Sequence, residues 1–148
     1  MRVSHREVAA AILIGTCGRL LLQQRDDVPG ILYPGRIGLF GGHREDRETF
    51  LDCVRREVHE EIGYLLPYDA FEPLVKYTTT HPNGDGLTGE FFVARGIPVD
   101  RLVITEGSLL LIEEHELPSI LHRMSPSTCH VAKAFMERRS GEQGMPKI

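Results

Sequence analysis

The segment Phe50–Ile62 constrains the fold most strongly, because it predicts a helix whose two ends are both marked. Thr49 is a suitable N-cap with Asp52 at the third helical position, a variant of the capping box, and Gly63 is well placed to end the helix. On a wheel of roughly 100° per residue the apolar side chains fall within about 120°, the width of a core-facing stripe. These side chains are Phe50, Leu51, Val54, Val58 and Ile62.

Three carboxylates on this helix do not fit an ordinary solvated face. Glu57 lies at the edge of the apolar arc, Glu60 lies about 60° further round, and Glu61 falls inside the arc. Glu60 alone could be an ordinary surface residue in contact with water. An ionised carboxylate at Glu61, in contrast, is costly to bury unless a positive group lies next to it. Acids within one turn also repel one another, and a bound divalent cation would remove both penalties.

The ligand type indicates which cation this would be. Carboxylate oxygens favour Mg²⁺ or Mn²⁺, with waters and substrate phosphates completing the coordination. Gly41 and Gly42 precede the helix and let the backbone approach a ligand closely, so a carbonyl of this turn could add a hard oxygen ligand. Arg56 can pair with Glu60 one turn later or with Glu48 across the loop.

The same segment resembles a known signature. It reads Gly42-x5-Glu48-x7-Arg56-Glu57-Val58-x-Glu60-Glu61-x-Gly63-Tyr64. This is similar to the Nudix hydrolase box, GX5EX7REUXEEXGU, at every fixed position. The departures are Tyr64, where an aliphatic residue is usual, Arg47, where a glycine is common, and Ile37, where many relatives have an aromatic residue. None of these is a candidate metal ligand.

The resemblance implies an α/β fold, namely an α/β/α sandwich with a mixed central sheet, in which the box forms a loop, a helix and a second loop. It implies Mg²⁺- or Mn²⁺-dependent hydrolysis of a phosphoanhydride (pyrophosphate) bond in a nucleoside diphosphate derivative. By position, the metal ligands would be Glu57, Glu60 and Glu61 with the carbonyl of Gly41. Arg56 and Glu48 would orient the carboxylates, and the general base would be Glu57 or a later acid such as Glu106.

Other candidate substrate residues have structural alternatives. Arg25, at the end of a strand, could meet a phosphate or remain a surface arginine, and His43 could face the pocket or be incidental. Phe40 and Tyr33 could stack on a base or pack locally. The chain has no tryptophan and therefore lacks the Trp-containing motif that marks NADH-cleaving relatives. The substrates that remain candidates are (d)NTPs, including oxidised ones, and nucleotide sugars. The alternative function is that of a non-catalytic nucleotide-sensing domain.

The rest of the chain predicts strands and one more helix in a single domain, 1–148, with a loose tail after about residue 141. Predicted strands are Val8–Gly15, Arg19–Gln24, Phe71–Thr79, Gly89–Arg95, Arg101–Thr105 and Ser108–Ile112, with a polar turn at 81–86. A last helix should begin near Ser125 or Ser127 and run to about Arg139, with Val131, Phe135 and Met136 on its apolar face.

Composition narrows the setting and the partners. An apolar fraction of 41%, a charged fraction of 26% and a net charge of -4 are those of a globular protein without a strong basic surface for nucleic acid or membrane. Cys17, Cys53 and Cys129 form no ligand or disulfide pattern, which indicates the cytoplasm. Val8–Gly15 is too short and poorly flanked for a signal peptide. The expected partner is a small nucleotide-like substrate, and a homodimer is left open.

Overall fold

The computed structural model describes residues 4–80 and 82–144, which form a mixed α/β fold. The strands are β1 (His5–Gly15), β2 (Leu20–Gln24), β3 (Ile37–Gly38), β4 (Phe40–His43), β5 (Phe71–Thr80), β6 (Gly86–Ile97) and β7 (Ser108–Ile112). The α-helices are α1 (Phe50–Ile62), α2 (Leu117–Ile120) and α3 (Pro126–Gly144). Single 3₁₀ turns occupy Tyr68–Ala70, Val99–Arg101, Glu114–Glu116 and Leu121–Arg123.

The strands form one mixed sheet between two helical layers. The order is β3-β2-β1-β6-β5, with β4 paired to β1 and β7 paired to β2. β1 runs parallel to β6, and the other strand pairs are antiparallel. Because side chains alternate along a strand, Ala9, Ala11 and Leu13 pack towards α1 and the intervening residues pack towards α3. The predicted α/β/α sandwich with a mixed sheet is confirmed.

Helix α1 has the ends that its sequence predicts. The Thr49 side chain accepts a hydrogen bond from the Asp52 amide, and the Asp52 side chain accepts one from the Thr49 amide. Gly63 ends the helix in the left-handed conformation at φ 68°, with its N–H donating to the carbonyl of His59. Val54, Val58 and Ile62 are fully buried, together with Cys53, which the predicted stripe omitted, whereas Phe50 and Leu51 are half-buried.

The predicted strand Arg101–Thr105 is wrong. Residues 102–105 instead cross the C-terminal end of α1, where the Val103 amide donates to the carbonyl of Ile62 at 2.9 Å. The amide and hydroxyl of Thr105 donate to the carbonyls of Glu61 and Glu60, each at 3.0 Å. The last carbonyls of a helix have no partner within it, so this segment satisfies them rather than joining the sheet.

Several boundaries also differ from prediction. β5 and β6 are longer than expected, the short strands β3 and β4 were not predicted, and neither were the helical turns between residues 114 and 123. The last helix, α3, begins at Pro126 and continues to Gly144, past residue 141. Val131 and Phe135 are buried on its apolar face, as predicted, and Met136 is packed beside them. His81 and residues 145–148 lie outside the described residues.

The apolar run near the start of the chain is structural. Val8–Gly15 forms most of β1, which pairs with β2, β4 and β6. Among the helices of the described segments, none combines the length and apolar character needed to cross a membrane.

Gly63→Ala should destabilise the protein more than Gly96→Ala. Both positions have positive φ, at 68° and 82°, where an alanine costs roughly 1–2 kcal/mol, offset by about 0.4–1 kcal/mol from the stiffer unfolded chain. A Cβ at Gly63 would also lie 3.1 Å from Val103 Cβ, whereas a Cβ at Gly96 meets nothing within 4 Å. Urea unfolding measures both losses. Equal losses would show that the packing of Val103 on the helix end is not tight.

Candidate active site

Glu61 is buried, as the sequence predicts. Its side chain lies against the glycine pair of β4, where Oε1 accepts a hydrogen bond of 2.7 Å from the Gly41 amide. Oε2 lies 3.4 Å from Nε2 of Gln23, a buried residue of β2. Only 4% of Glu61 is exposed. The carboxyl therefore connects α1 to two strands of the sheet.

The electrostatic surroundings of Glu61 disfavour its charged form. Burial is the largest cause that raises the pKa of Glu61 to about 8; the neighbouring acids Glu106 and Glu57 also contribute, while the Gly41 amide opposes the shift. Glu106 lies in the exposed turn before β7, and its carbonyl accepts a hydrogen bond of 3.0 Å from Gln23 Nε2. Without a cation, Glu61 therefore holds its proton through neutral pH.

Arg56 gathers the other box acids. Its Nε and Nη2 donate to the two oxygens of Glu48 at 2.6 and 2.9 Å, and its Nη1 donates to Glu57 at 2.9 Å. Glu60 is farther from the same Nη1, at 3.4 Å, and its side chain is 56% exposed. These contacts raise the pKa of Arg56 and lower the pKa of Glu48. Arg56 therefore makes both of the pairings that the sequence allowed.

The glycine pair allows close approach on both of its sides. Gly41 is paired with Ala10 of β1, and a Cβ at Gly41 would overlap the Ala9 carbonyl and the Ala10 backbone. A Cβ at Gly42 would lie 2.5 Å from Cδ of Glu57. A larger residue at either position would therefore displace β1 or the Glu57 carboxylate.

A cavity of about 800 Å³ extends from these acids across the α3 side of the sheet. Glu57 and Glu106 line its acidic end. Apolar and hydroxyl-bearing residues also line it, including Leu87 and Phe91 of β6 and residues 125–128 at the start of α3. Basic side chains line it as well, namely those of Arg6, Arg25, His43 and Arg44. Its volume is within the usual range of small-molecule sites. The cavity suits a ligand with one anionic end, which a cation would neutralise, and one organic end.

The candidate substrate residues are placed differently from one another. Arg25 and His43 both line the cavity, but Arg25 Nε donates to the carbonyl of Leu32 at 2.8 Å, so it also holds the loop 26–35. Tyr33 of that loop lines the cavity as well. The assignment of Phe40 to substrate binding is wrong. Phe40 pairs with Ala11 and turns into the core under α1, where it has no exposed surface.

The donor atoms fit a divalent cation, although the three glutamates are not grouped. Within residues 4–80 and 82–144, no three His, Cys, Asp or Glu side chains are close enough to hold a metal ion. Glu57 and Glu61 lie against the adjacent glycines of β4, whereas Glu60 is exposed at the surface. Because the Glu61 carboxyl is buried beside other acids, its ionisation is unfavourable, and a hard cation would offset that free-energy cost. The metal ligands Gly41, Glu57, Glu60 and Glu61 stay a prediction.

Sequence reasoning missed Gln23 and Arg44. Gln23 contacts both Glu61 and Glu106, and Arg44 contacts Glu48. Gln23 could have been found from strand periodicity, because it follows Leu21 by two residues and so faces α1. The contacts of Arg44 depend on how β4 pairs with β1, which no local pattern revealed.

Comparison with known proteins identifies the family. The model of the NUDIX domain matches residues 4–119. The chain belongs to the Nudix domain family. Nudix hydrolase 3 of Arabidopsis thaliana is 36% identical over 83 residues, which cover 55% of this chain but only 11% of that protein.

Solved Nudix structures share the fold. The MutT protein of Methanosarcina mazei Go1 superposes with a TM-score of 0.74 at 17% identity, covering 98% of this chain and 99% of that one. A bifunctional NMN adenylyltransferase/ADP ribose pyrophosphatase of Francisella tularensis, complexed with AMP and a manganese ion, gives a TM-score of 0.69 at 16% identity. That match covers 93% of this chain and 42% of the other.

The structure accounts for two departures from the Nudix signature. Arg47 has a φ of 69°, in the left-handed region where glycine is favoured, which explains why glycine is common at this position. Tyr64 packs against the core under α1, so it takes the packing role of the usual aliphatic residue.

The stability of the metal-free protein should fall as pH rises from about 4 to about 8, because folding raises the pKa of Glu61 from the unfolded value near 4.3. Below that range Glu61 is protonated in both the folded and the unfolded protein. The stability that its protonated form contributes is lost as the pH rises to the pKa of Glu61 in the folded protein. Glu61→Gln should remove this decrease and melt at the same or a higher temperature than the wild type at pH 8.5. Thermal melts in EDTA measure the effect.

The exposed Glu60→Gln is the matched control and should keep the wild-type pH dependence. If Glu61→Gln also kept it, the burial of an ionisable group at this position would be contradicted.

Proposed function

We propose that this protein is a Mg²⁺- or Mn²⁺-dependent Nudix hydrolase that cleaves a phosphoanhydride bond in a nucleoside diphosphate derivative. The observation that carries the proposal is the buried Glu61 carboxyl beside Glu57, at the acidic end of a cavity of about 800 Å³. Family membership and the hydrolase names of the relatives support an enzyme that acts on acid anhydrides. The match covers only 11% of the Arabidopsis protein, so the activity of that protein is not assigned to this chain.

The cation would be held by Glu57, Glu60, Glu61 and the Gly41 carbonyl. When bound, it neutralises phosphate charge and acidifies a water molecule. Glu61 must lose its proton to act as a ligand, so metal binding near neutral pH should release a proton. Arg56 holds the Glu57 carboxylate in place at 2.9 Å, and Glu48 holds Arg56 by two hydrogen bonds.

Two acids are candidates to accept the proton of the attacking water. Glu57 is held between Arg56 and the backbone of Gly42, so its position is constrained. Glu106 is exposed and lies beside the Glu61 carboxyl, and its backbone carbonyl accepts a hydrogen bond from Gln23. Both carboxylates line the cavity, and a general base must lie within reach of the water it activates.

The substrate that we propose is a (d)NTP, including oxidised forms. The acidic end with its cation would take the phosphates, and the apolar surface of Leu87 and Phe91 would take the base. The AMP and manganese ion of the Francisella protein fit this division but belong to that protein. The three cysteines are free thiols, which suits the proposed cytoplasmic location.

Hydrolysis should depend on the divalent cation. We expect pyrophosphate or phosphate release from at least one compound in a panel of (d)NTPs, oxidised (d)NTPs and nucleotide sugars. The activity should vanish in excess EDTA and return with Mg²⁺ or Mn²⁺. Undiminished turnover in EDTA would exclude the proposed chemistry, and a lack of turnover with every nucleotide would exclude the proposed substrate class.

Glutamine variants should separate the metal ligands from the general base. Replacing Glu57 or Glu61 should lower kcat at least about 100-fold, which is roughly 2.7 kcal/mol of transition-state stabilisation. A variant of a metal ligand should also need more Mg²⁺ for half-maximal rate. A variant of the general base should lower kcat without that change and flatten the acidic limb of the pH–rate profile. Glu106→Gln is therefore the informative comparison with Glu57→Gln. If Glu60→Gln and Glu61→Gln both kept near-wild-type kcat and Mg²⁺ affinity, the metal site would lie elsewhere.

A further inference from the structure

Arg44 joins three parts of the fold at the start of the Nudix box. It follows β4 directly, and its Nη2 donates to Oε1 of Glu7, a residue of β1, at 2.7 Å. Its Nη1 donates to the carbonyl of Glu48 at 2.8 Å, and its guanidinium lies 5.6 Å from the ring centroid of Phe50, the first residue of α1. The Arg44 amide also donates to the Glu7 carbonyl at 2.9 Å. Arg44 therefore connects the central sheet to the loop that enters the helix.

That loop carries Glu48, on which the rest of the acid network depends. Glu48 accepts hydrogen bonds from the Glu45 amide at 2.8 Å and from two nitrogens of Arg56. Arg56 in turn contacts Glu57. A continuous set of hydrogen bonds thus runs from Glu7 through Arg44 to the Glu48 backbone, and from the Glu48 carboxylate through Arg56 to Glu57.

We infer that Glu7 and Arg44 are positioning residues, which hold the loop 45–49 so that Glu48 and Arg56 present Glu57 to the divalent cation. The inference rests on the proposed function, because it assigns the purpose of the network to metal binding. Glu7 lies in β1, outside the Nudix box, and contacts the box through Arg44. Neither residue needs to touch the substrate.

The geometry disfavours a direct role for Arg44 in binding phosphate, although Arg44 lines the cavity. Both Nη atoms are engaged by Glu7 and Glu48, and the Nε atom is buried without a hydrogen-bond partner. The mutual hydrogen bond lowers the pKa of Glu7 and raises the pKa of Arg44, so the pair is ionised at neutral pH.

The first test is hydrogen exchange of the metal-free protein. Glu7→Ala and Arg44→Ala should both speed amide exchange in residues 45–49. The matched control is Glu114→Ala, which breaks the Glu114–Arg139 pair, a contact of 2.7 Å with side chains 32% and 31% exposed. The Glu7–Arg44 pair has the same 2.7 Å separation, with side chains 38% and 26% exposed. The control should leave exchange in residues 45–49 unchanged even if it lowers the melting temperature.

The second test is Mn²⁺ binding, measured by calorimetry and electron paramagnetic resonance without substrate. Glu7→Ala and Arg44→Ala should each weaken Mn²⁺ binding about 10-fold, as expected for residues that orient ligands, and lower kcat with little change in KM for the nucleotide. The double variant should be no worse than either single variant. Glu7→Gln keeps an acceptor oxygen for Arg44 and should restore part of the affinity. Glu114→Ala should keep wild-type Mn²⁺ affinity.

Three results would overturn the inference. The first is an Arg44→Ala variant that raises only KM for the nucleotide while Glu7→Ala has no effect, which would make Arg44 a substrate contact. The second is a loss of stability alone, equal to that of Glu114→Ala, with exchange and Mn²⁺ binding unchanged. The third is additive effects in the double variant. If the exchange and Mn²⁺ results held but no nucleotide were cleaved, the positioning role would stand and the proposed function would fail.

Discussion

The hydrogen bond between the Gly41 amide and the Glu61 carboxyl joins the helix of the Nudix box to the sheet, and the rest of the site depends on it. A helix can bury an acid on its apolar side only if the facing backbone offers a donor, because an unpaired buried carboxyl is costly. Gly41 offers this donor because β4 can approach β1 closely where no side chain intervenes. The geometry that holds Glu61 also brings Glu57 against Gly42, so the glycine pair of β4 positions both acids.

Positive charge compensates the acids of the site unevenly, and this difference supports the proposed function. Glu48 and Glu57 share the guanidinium of Arg56, so their negative charge is compensated within the protein. Glu61 is instead bordered by an amide, a glutamine and other carboxyls, and its pKa is raised to about 8. These surroundings of the buried Glu61 carboxyl support the proposal that it binds a divalent cation. The open cavity beside it leaves room for the phosphates that such a cation would bind.

Local sequence patterns predicted the parts of the site that a single element determines. Thr49 and Gly63 marked α1, and helical periodicity placed Glu61 inside its apolar face. Contacts between elements were harder to predict. Phe40 was a candidate to stack on a base, with local packing as the alternative, and the alternation of β4 turns it into the core. Arg101–Thr105 was expected to be a strand, but the amides of Val103 and Thr105 instead donate hydrogen bonds to the last carbonyls of α1. The contact between Glu7 and Arg44 depends on strand pairing across many residues, which no local pattern reveals.

We propose that Glu61 is a buried acid whose charged form is stabilised by a divalent cation. The most direct measurement is the carboxyl ¹³C chemical shift of Glu61, followed by NMR against pH with and without saturating Mg²⁺. We expect a titration midpoint near pH 8 without metal, because burial raises the pKa of Glu61 to about 8, and a midpoint far below this with Mg²⁺. An identical midpoint in both conditions, or a metal-free midpoint near that of an exposed glutamate, would contradict this role of Glu61.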